Sequence, residues 1–427
     1  VCVNACCQLT TSGILTCMRE QPSQHFFGLD VGSSTVRCVV GIMDDKESGK
    51  PSIIGQGSAS NLGMRKGVVV HVDDVVEAII NAVTEAERMT GVQITNATVN
   101  INGSHIAGMN SRGVIAISAA NREISSYDRL RVEEAATIVK LPPNREIIQV
   151  FAKNYRLDGQ DNIKDPVGMQ GVRLEVDTHI VTAATPSLRN LDLALEKAHI
   201  TPSHHTVSSL AAAEVVLSRQ QKESGTVLID IGAGTTNLVV LEDGEVQHVA
   251  VLPIGGNHVT NDLAIGLRTD LDIAEAVKLQ HAALGSHKKD NRVSVTVGGR
   301  RYDFEGVEIH MIIEARIEEL MEYVDKELRK IQRSRKLPGG AVLVGGTAKL
   351  PGIAEIAKDK LELAARVGSL QPIGGLLDTV ADPAYFTAVG LMMLDMLLLP
   401  NSSNGLDGTP NLGVFRLIDG LFRKFKR

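Results

Sequence analysis

The sequence predicts an α/β protein of two related halves facing each other across a cleft. Two stretches carry this prediction: FFGLDVGSSTVRCVVG at 26–41 and VLIDIGAGTTNLVVLEDG at 227–244. Each is an apolar strand that ends in Asp-x-Gly, turns through small residues and becomes a second apolar strand. A third stretch, AVLVGGTAKLPGI at 341–353, is an apolar strand interrupted by two glycines before a helix begins near Pro351. One such hairpin is common in proteins, because turns rich in Gly and Ser are common. A pair of them in two related domains suits a clamp closing on one ligand from both sides.

The bulk properties agree with a multidomain globular chain. At 427 residues it is long enough for two to four domains of roughly 150 residues each. Its 43% hydrophobic and 22% charged residues are ordinary for a folded protein. A net charge of -6, 3% aromatic residues and the lack of Trp leave little for base stacking or for neutralising a phosphate backbone, so no nucleic-acid partner is expected. The apolar run AVGLMMLDMLLL at 388–399 is too short to span a bilayer and is interrupted by Asp395, which predicts a buried helix.

From the N-terminus, residues 1–25 read as a disordered extension. Its start lacks the cationic and long apolar regions of a secretory signal, and residues 1–17 are consistent with translation from an upstream start ahead of Met18. Cys2, Cys6, Cys7 and Cys17 crowd this segment, without the paired C-x-x-C steps of a metal site, and Cys38 lies in the body. The body fits a reducing cytoplasm.

In the first hairpin Gly32, Ser33, Ser34 and Thr35 form the tip. In the second the tip is Gly232, Ala233, Gly234, Thr235 and Thr236, followed by Asn237. Such turns let backbone N–H groups converge on an anion, with hydroxyls as further donors. Asp30 and Asp230 end the first strand of each hairpin, where a Mg²⁺ bound to the same phosphates needs oxygen, directly or through water. The glycines of the third stretch, Gly345 and Gly346 before Thr347, allow a flat ring such as adenine to lie against bare backbone. In DIAEAVKLQHAALG, Glu275 and Lys278 share a helix face and could grip ribose hydroxyls, or form a surface ion pair.

On these motifs, in this order, the chain resembles the actin, Hsp70 and sugar-kinase ATPase superfamily. Within it the chain is similar to the bacterial cell-division FtsA family, on PVGMQGVRLEVDTHIVTA (166–183), LPIGGNHVTNDLAIGL (252–267) and YFTAVGLMML (385–394). The resemblance runs from about Phe27 to the C-terminus. It implies an actin-like two-lobed ATPase fold, with a duplicated five-stranded-sheet core and an inserted α+β subdomain, called 1C or SHS2. It also implies ATP with Mg²⁺ in the cleft, and adds Gly255 and Gly256 to the nucleotide-binding set.

The subdomains are then expected as follows: 26–109 and 186–224, with 385–400, as 1A; 110–185 as 1C; 225–256 and 341–384 as 2A; and 257–340 as 2B. For 1C, GVIAIS reads as a strand, SSYDRLRVEEAATIVK as an amphipathic helix, and REIIQVFAKNYRLD and VRLEVDTHIVTA as strands joined by the loop GQDNIKDPVGMQG. A compact insertion away from the cleft suits contact between protomers, or serves as scaffold. Many relatives in the superfamily carry a Glu-Pro whose Glu positions the attacking water. Here Ser208 and Ser209 take those places, which implies ATP binding with weak or no hydrolysis and no assigned catalytic residue.

Residues 401–413, NSSNGLDGTPNLG, read as a flexible linker. Beyond it Val414, Phe415, Ile418, Leu421, Phe422 and Phe425 follow one helical face, with Leu417 at its edge. Arg416, Asp419, Arg423, Lys424, Lys426 and Arg427 take the other. This is the signature of an amphipathic helix lying in the plane of a membrane rich in anionic lipid. Buried apolar side chains contribute up to ~1.5 to 3 kcal/mol each and cations about 1 kcal/mol each near anionic lipid. A single tail therefore binds reversibly, and a polymer holds firmly.

The resemblance finally implies a homopolymer at the cytoplasmic face of the cell membrane, at the division site. This polymer would anchor FtsZ by its C-terminal peptide on 2B and recruit later division proteins. Arg300 and Arg301, in the hairpin RVSVTVGGRRYDF, are candidate anchors for that acidic peptide. The alternatives are a PilM-type pilus-assembly adaptor, expected to lack the tail, and a small-molecule kinase of the same superfamily, for which no acceptor-side catalytic acid is evident.

Overall fold

The computed structural model describes residues 24–44, 50–285, 291–375 and 377–398. The expected N-terminal extension with its four cysteines lies outside these, apart from residues 24 and 25, and so do the linker 401–413 and the amphipathic segment 414–427.

Two sheets of matching topology form the cores. In the first lobe the strands run in the order Thr201–Val207, Asn96–Ile101, His25–Val31, Thr35–Asp44, Lys50–Ser60, with the two-residue strand Gly374–Gly375 added at the edge. In the second lobe Ala365–Val367, Gly340–Val344, Thr226–Ile231, Thr236–Glu242 and Glu245–Leu252 repeat the pattern. In both, the strand before the Asp-x-Gly turn pairs antiparallel with its hairpin partner and parallel with its other neighbour. The parallel neighbours place helices on both faces, so these strands are buried throughout and read as near-continuous apolar runs.

Helix Phe386–Leu398 is apolar on nearly every side and is buried in the first lobe, as a helix hydrophobic all round must be. Gly28 lets it approach the first strand, since a Cβ there would lie 2.2 Å from the Ala388 carbonyl oxygen. Its one carboxylate, Asp395, accepts the backbone N–H of Phe27 at 3.0 Å and the Thr98 hydroxyl at 2.8 Å. The residue that interrupts the apolar run in the sequence thus fixes the helix on the sheet.

The insertion is a four-stranded sheet in the order Ala107–Ala116, Arg173–Ala184, Arg145–Leu157, Gln160–Ile163. Helix Ser126–Thr137 covers one face and starts on a capping box of Ser125 and Asp128. Its turns descend onto Gly113, where a Cβ would meet the Val132 carbonyl oxygen at 2.1 Å. Three details differ from the sequence reading. The first strand begins at Ala107, the helix stops at Thr137, and the loop after Leu157 contains the short strand Gln160–Ile163. This last strand is polar at three of four positions and has no apolar alternation to show it.

In the second lobe, helices Gly256–Gly266, Leu271–His281 and Gly306–Lys330 and the hairpin Arg292–Val297/Arg300–Glu305 form the outer part. Ile309, Ile313, Ile317, Leu320 and Val324 of the long helix supply its buried stripe.

Candidate nucleotide cleft

The two hairpin tips open onto one cavity of about 480 Å³ between the lobes. Asp30 and Asp230 both line it, with Gly32, Ser33, Ser34 and Thr35 on one side and Gly232, Ala233, Gly234, Thr235 and Asn237 on the other. Gly256, Glu275, Lys278, Gly345, Gly346 and Thr347 also line it. Two residues of the expected set lie behind it. The Thr236 hydroxyl donates to the Ile254 carbonyl at 2.8 Å, and Gly255 packs under the hairpin, where a Cβ would come within 2.6 Å of the Gly232 carbonyl oxygen.

Asp30 is held by the Asn100 amide, which donates to its Oδ1 at 2.7 Å while the Asn100 carbonyl oxygen accepts the Val31 N–H. Burial pushes the Asp30 carboxyl up to about 7. The Arg37 guanidinium opposes the rise, and the charge of Asp230 adds to it. Asp230, raised to about 6 by burial, receives the Thr387 hydroxyl at 3.4 Å. Each carboxylate is poorly solvated, which a divalent cation would reverse. Among the described residues no group of three or more His, Cys, Asp or Glu side chains converges as a metal site. Two carboxylates therefore need oxygens from phosphate and water to complete a Mg²⁺ shell, and that arrangement is usual for this ion.

The cleft fits a phosphorylated nucleotide on its own features. Asn237 is buried against Asp230, whose carboxyl its side-chain amide helps to hold down, while its amide oxygen has no hydrogen-bond partner among the described residues. Bare backbone is essential at Gly345 (φ 88°), where a Cβ would come within 2.5 Å of Asp230 Oδ1. The Thr347 hydroxyl donates to the Gly232 carbonyl at 3.1 Å, tying the third motif to the second hairpin. Glu275 and Lys278 form the ion pair that was the alternative reading, at 2.6 Å, and both also contact the Thr260 hydroxyl within the cleft wall.

Sequence reasoning missed several lining residues: Arg37, Asn102, Asn257, Lys349 and Thr387. Arg37 had a signal, because the hairpin register pairs it with Asp30. Thr387 had none, arriving from a helix far along the chain. Both serines are buried; Ser208 lines the cavity, its Oγ accepting from Asn100 at 3.1 Å, and Ser209 does not. No carboxylate stands in their place.

Two other cavities are polar or open. The larger, about 820 Å³, separates the inserted sheet from residues 242–247 of the second lobe. Its charges are largely matched internally, as in Arg333–Glu242 at 2.7 Å and Arg112–Asp177 at 2.7 Å. The other, about 640 Å³, lies on the outer part of the second lobe, lined by Ile265, Arg268, Tyr302 and Phe304. Arg301 stands next to it, exposed, and is engaged with Asp303 at 3.0 Å and Ser294 at 2.7 Å. Arg300 is also exposed, on the same strand. Arg268 is the cation on this surface that the sequence reading did not single out.

Comparison with known proteins agrees with the geometry. A model described as cell division protein FtsA matches residues 227–390, and one described as the SHS2 domain inserted in FTSA matches residues 103–182. Curated relatives named cell division protein FtsA include those of Bacillus subtilis and Pseudomonas aeruginosa. The first is 40% identical over 87% of this chain and 83% of the relative, the second 35% identical over 87% and 89%. Among solved structures, the PilM-PilN type IV pilus biogenesis complex superposes with a TM-score of 0.62 at 18% identity, covering 88% of this chain and 99% of that one. MreB5 of Spiroplasma citri bound to ADP superposes at 0.51 and 14% identity, covering 87% and 96%. These structures share the actin-like fold.

Proposed function

The chain belongs to the FtsA family of cell-division proteins, and on that premise we propose that it binds ATP with Mg²⁺ between its lobes and polymerises at the inner face of the cell membrane. There it anchors FtsZ and recruits later division proteins. The observation that carries the nucleotide reading is the opposition of Asp30 and Asp230, with their glycine-rich tips, across one cavity. In this reading the backbone amides at 32–35 and 232–235 hold the phosphates, the two carboxylates take Mg²⁺ through its oxygens, and Gly345 and Gly346 leave a flat surface for the base. The nucleotide chiefly closes the cleft. With Ser208 where relatives position a water by Glu, turnover is slow and the bound ligand favours the assembled state.

The tail 414–427 supplies reversible membrane contact, made firm by polymerisation. The peptide of FtsZ docks on the outer second lobe, near Arg300, Arg301 and Arg268.

Calorimetric titration with ATP tests the central claim. Binding is expected with Mg²⁺ and weakened by chelation, and Asp30→Asn with Asp230→Asn is expected to abolish the Mg²⁺ dependence. A wild-type protein that bound no nucleotide would overturn the reading. Several turnovers per second by the purified protein alone would overturn the assignment of slow hydrolysis.

A further inference from the structure

The two carboxylates of the cleft are held in different ways. Asp30 takes its hydrogen bond from Asn100, a residue of the same sheet. Asp230 is held from both lobes. Asn237, its partner across the second hairpin, holds the carboxyl from within the second lobe. From the first lobe, the Thr387 hydroxyl of helix Phe386–Leu398 donates to Asp230 Oδ2 at 3.4 Å. The backbone of Gly345 lies on the side of Oδ1, where a Cβ would come within 2.5 Å. The carboxylate thus has second-lobe backbone against one oxygen and a hydroxyl carried by the first lobe against the other.

The helix that carries Thr387 is built into the first lobe. Gly28 of the first strand and the Ala211 carbonyl meet its backbone at Ala388 and Gly390, and Asp395 accepts from Phe27 N–H and the Thr98 hydroxyl. Interiors packed this closely pass on a displacement and do not absorb it. The approach to the helix is fastened to the third motif of the second lobe. Gly345 N–H donates to the Pro383 carbonyl at 3.1 Å, and Lys349 pairs with Asp382 at 2.8 Å. Thr387, buried and lining the cavity, therefore stands where a rigid first-lobe helix meets the second and third motifs together.

We propose that Thr387 is a positioning residue for the metal side of the nucleotide site: its hydroxyl orients the Asp230 carboxylate toward Mg²⁺, and does so from the opposite lobe. This rests on the nucleotide reading above and adds to it a residue from outside the three motifs. A carboxylate fixed by a hydrogen bond presents its remaining lone pairs in one direction, and such partners matter to a metal site almost as much as the ligands do. Because the donor belongs to the first lobe and the acceptor to the second, the Asp230 carboxylate is set correctly only while the lobes keep this spacing.

Equilibrium titrations with a non-hydrolysable ATP analogue, in Mg²⁺ and in chelator, test the assignment. Thr387→Val keeps the side chain's shape and removes the hydroxyl, Thr387→Ala removes it without a second methyl to accommodate, and Thr387→Ser keeps it. The first two are expected to shrink the gain in affinity brought by Mg²⁺ about tenfold, the usual cost of losing such a partner. Their affinity in chelator is expected to change by less than about twofold. Thr387→Ser is expected to keep most of the gain. In an Asp230→Asn background Thr387→Val is expected to cost little more, since a hydroxyl that acts through this carboxylate has then lost its target. Equal losses with and without Mg²⁺, an unaltered gain, or a full further loss in the Asp230→Asn background would overturn the role. So would a wild-type chain that bound nucleotide with no gain from Mg²⁺. If the wild-type chain binds no nucleotide at all, the nucleotide reading itself fails and the role of Thr387 falls with it.

Discussion

The backbone N–H of Val249 donates to Nε2 of His179 at 3.1 Å, joining the sheet of the inserted subdomain to the edge strand of the second lobe. Nδ1 of the same ring lies 2.8 Å from Asn110 Oδ1, so the neutral tautomer with the proton on Nδ1 satisfies both contacts. The adjacent His248 ring sits edge-on at 5.6 Å, and its Nε2 is 3.2 Å from Glu327 of the long helix. A side chain thus blunts a sheet edge that would otherwise be open to other strands.

This pairing makes stability sensitive to acid. Burial, then the neighbouring His248, pushes the His179 pKa down to about 3. An unfolded chain takes up this proton near pH 6.5 and the folded chain does not, so the contribution is complete above that pH and falls away as pH drops toward 3. The slope is about 1.4 kcal/mol per pH unit in that window. Urea unfolding at pH 7.5 and 5.5 is expected to show a smaller acid loss for His179→Gln than for wild type. Identical losses would assign the effect to other groups.

Gly390 is the tightest crossing in the first lobe. A Cβ there would lie 1.9 Å from the Ala211 carbonyl oxygen, so helix Phe386–Leu398 and helix Ser208–Val216 touch backbone to backbone. Gly390→Ala is expected to cost about 1 to 3 kcal/mol or more by forcing these helices apart, despite the better helix propensity of Ala. Thermal unfolding measures it, and an unchanged melting temperature would contradict the crossing.

Membrane contact is expected to depend on residues 414–427. Liposomes containing anionic lipid should float the full chain and leave behind the chain shortened to residue 413, with the difference shrinking in high salt as surface attraction is screened. Equal flotation of both would remove the anchor.

For peptide docking, reversing the charge of Arg300 and Arg301 to Glu is expected to weaken binding of the FtsZ C-terminal peptide. Arg301 is already engaged with Asp303 and Ser294, which reduces its availability. Arg268, beside Tyr302 and Phe304, gives a separate comparison, and Arg268→Glu is expected to weaken binding further. Fluorescence anisotropy of a labelled peptide resolves the two. Unchanged affinity in both would move the site off this surface.

What the sequence determined by itself was local. The hairpins, their aspartates, the buried helix Phe386–Leu398 and most elements of the insertion are written in contiguous residues, because period-2 alternation, turn-forming glycines and a capping box act over a few positions. The tertiary structure alone decided which distant groups meet. It brought Thr387 to Asp230, set His179 against Val249, laid Lys66 beside Gly234, and seated Lys278 on Thr260 of the neighbouring helix. Such meetings follow from how two lobes and an insertion pack, and no short-range pattern in the chain records the distance between surfaces that only folding makes adjacent.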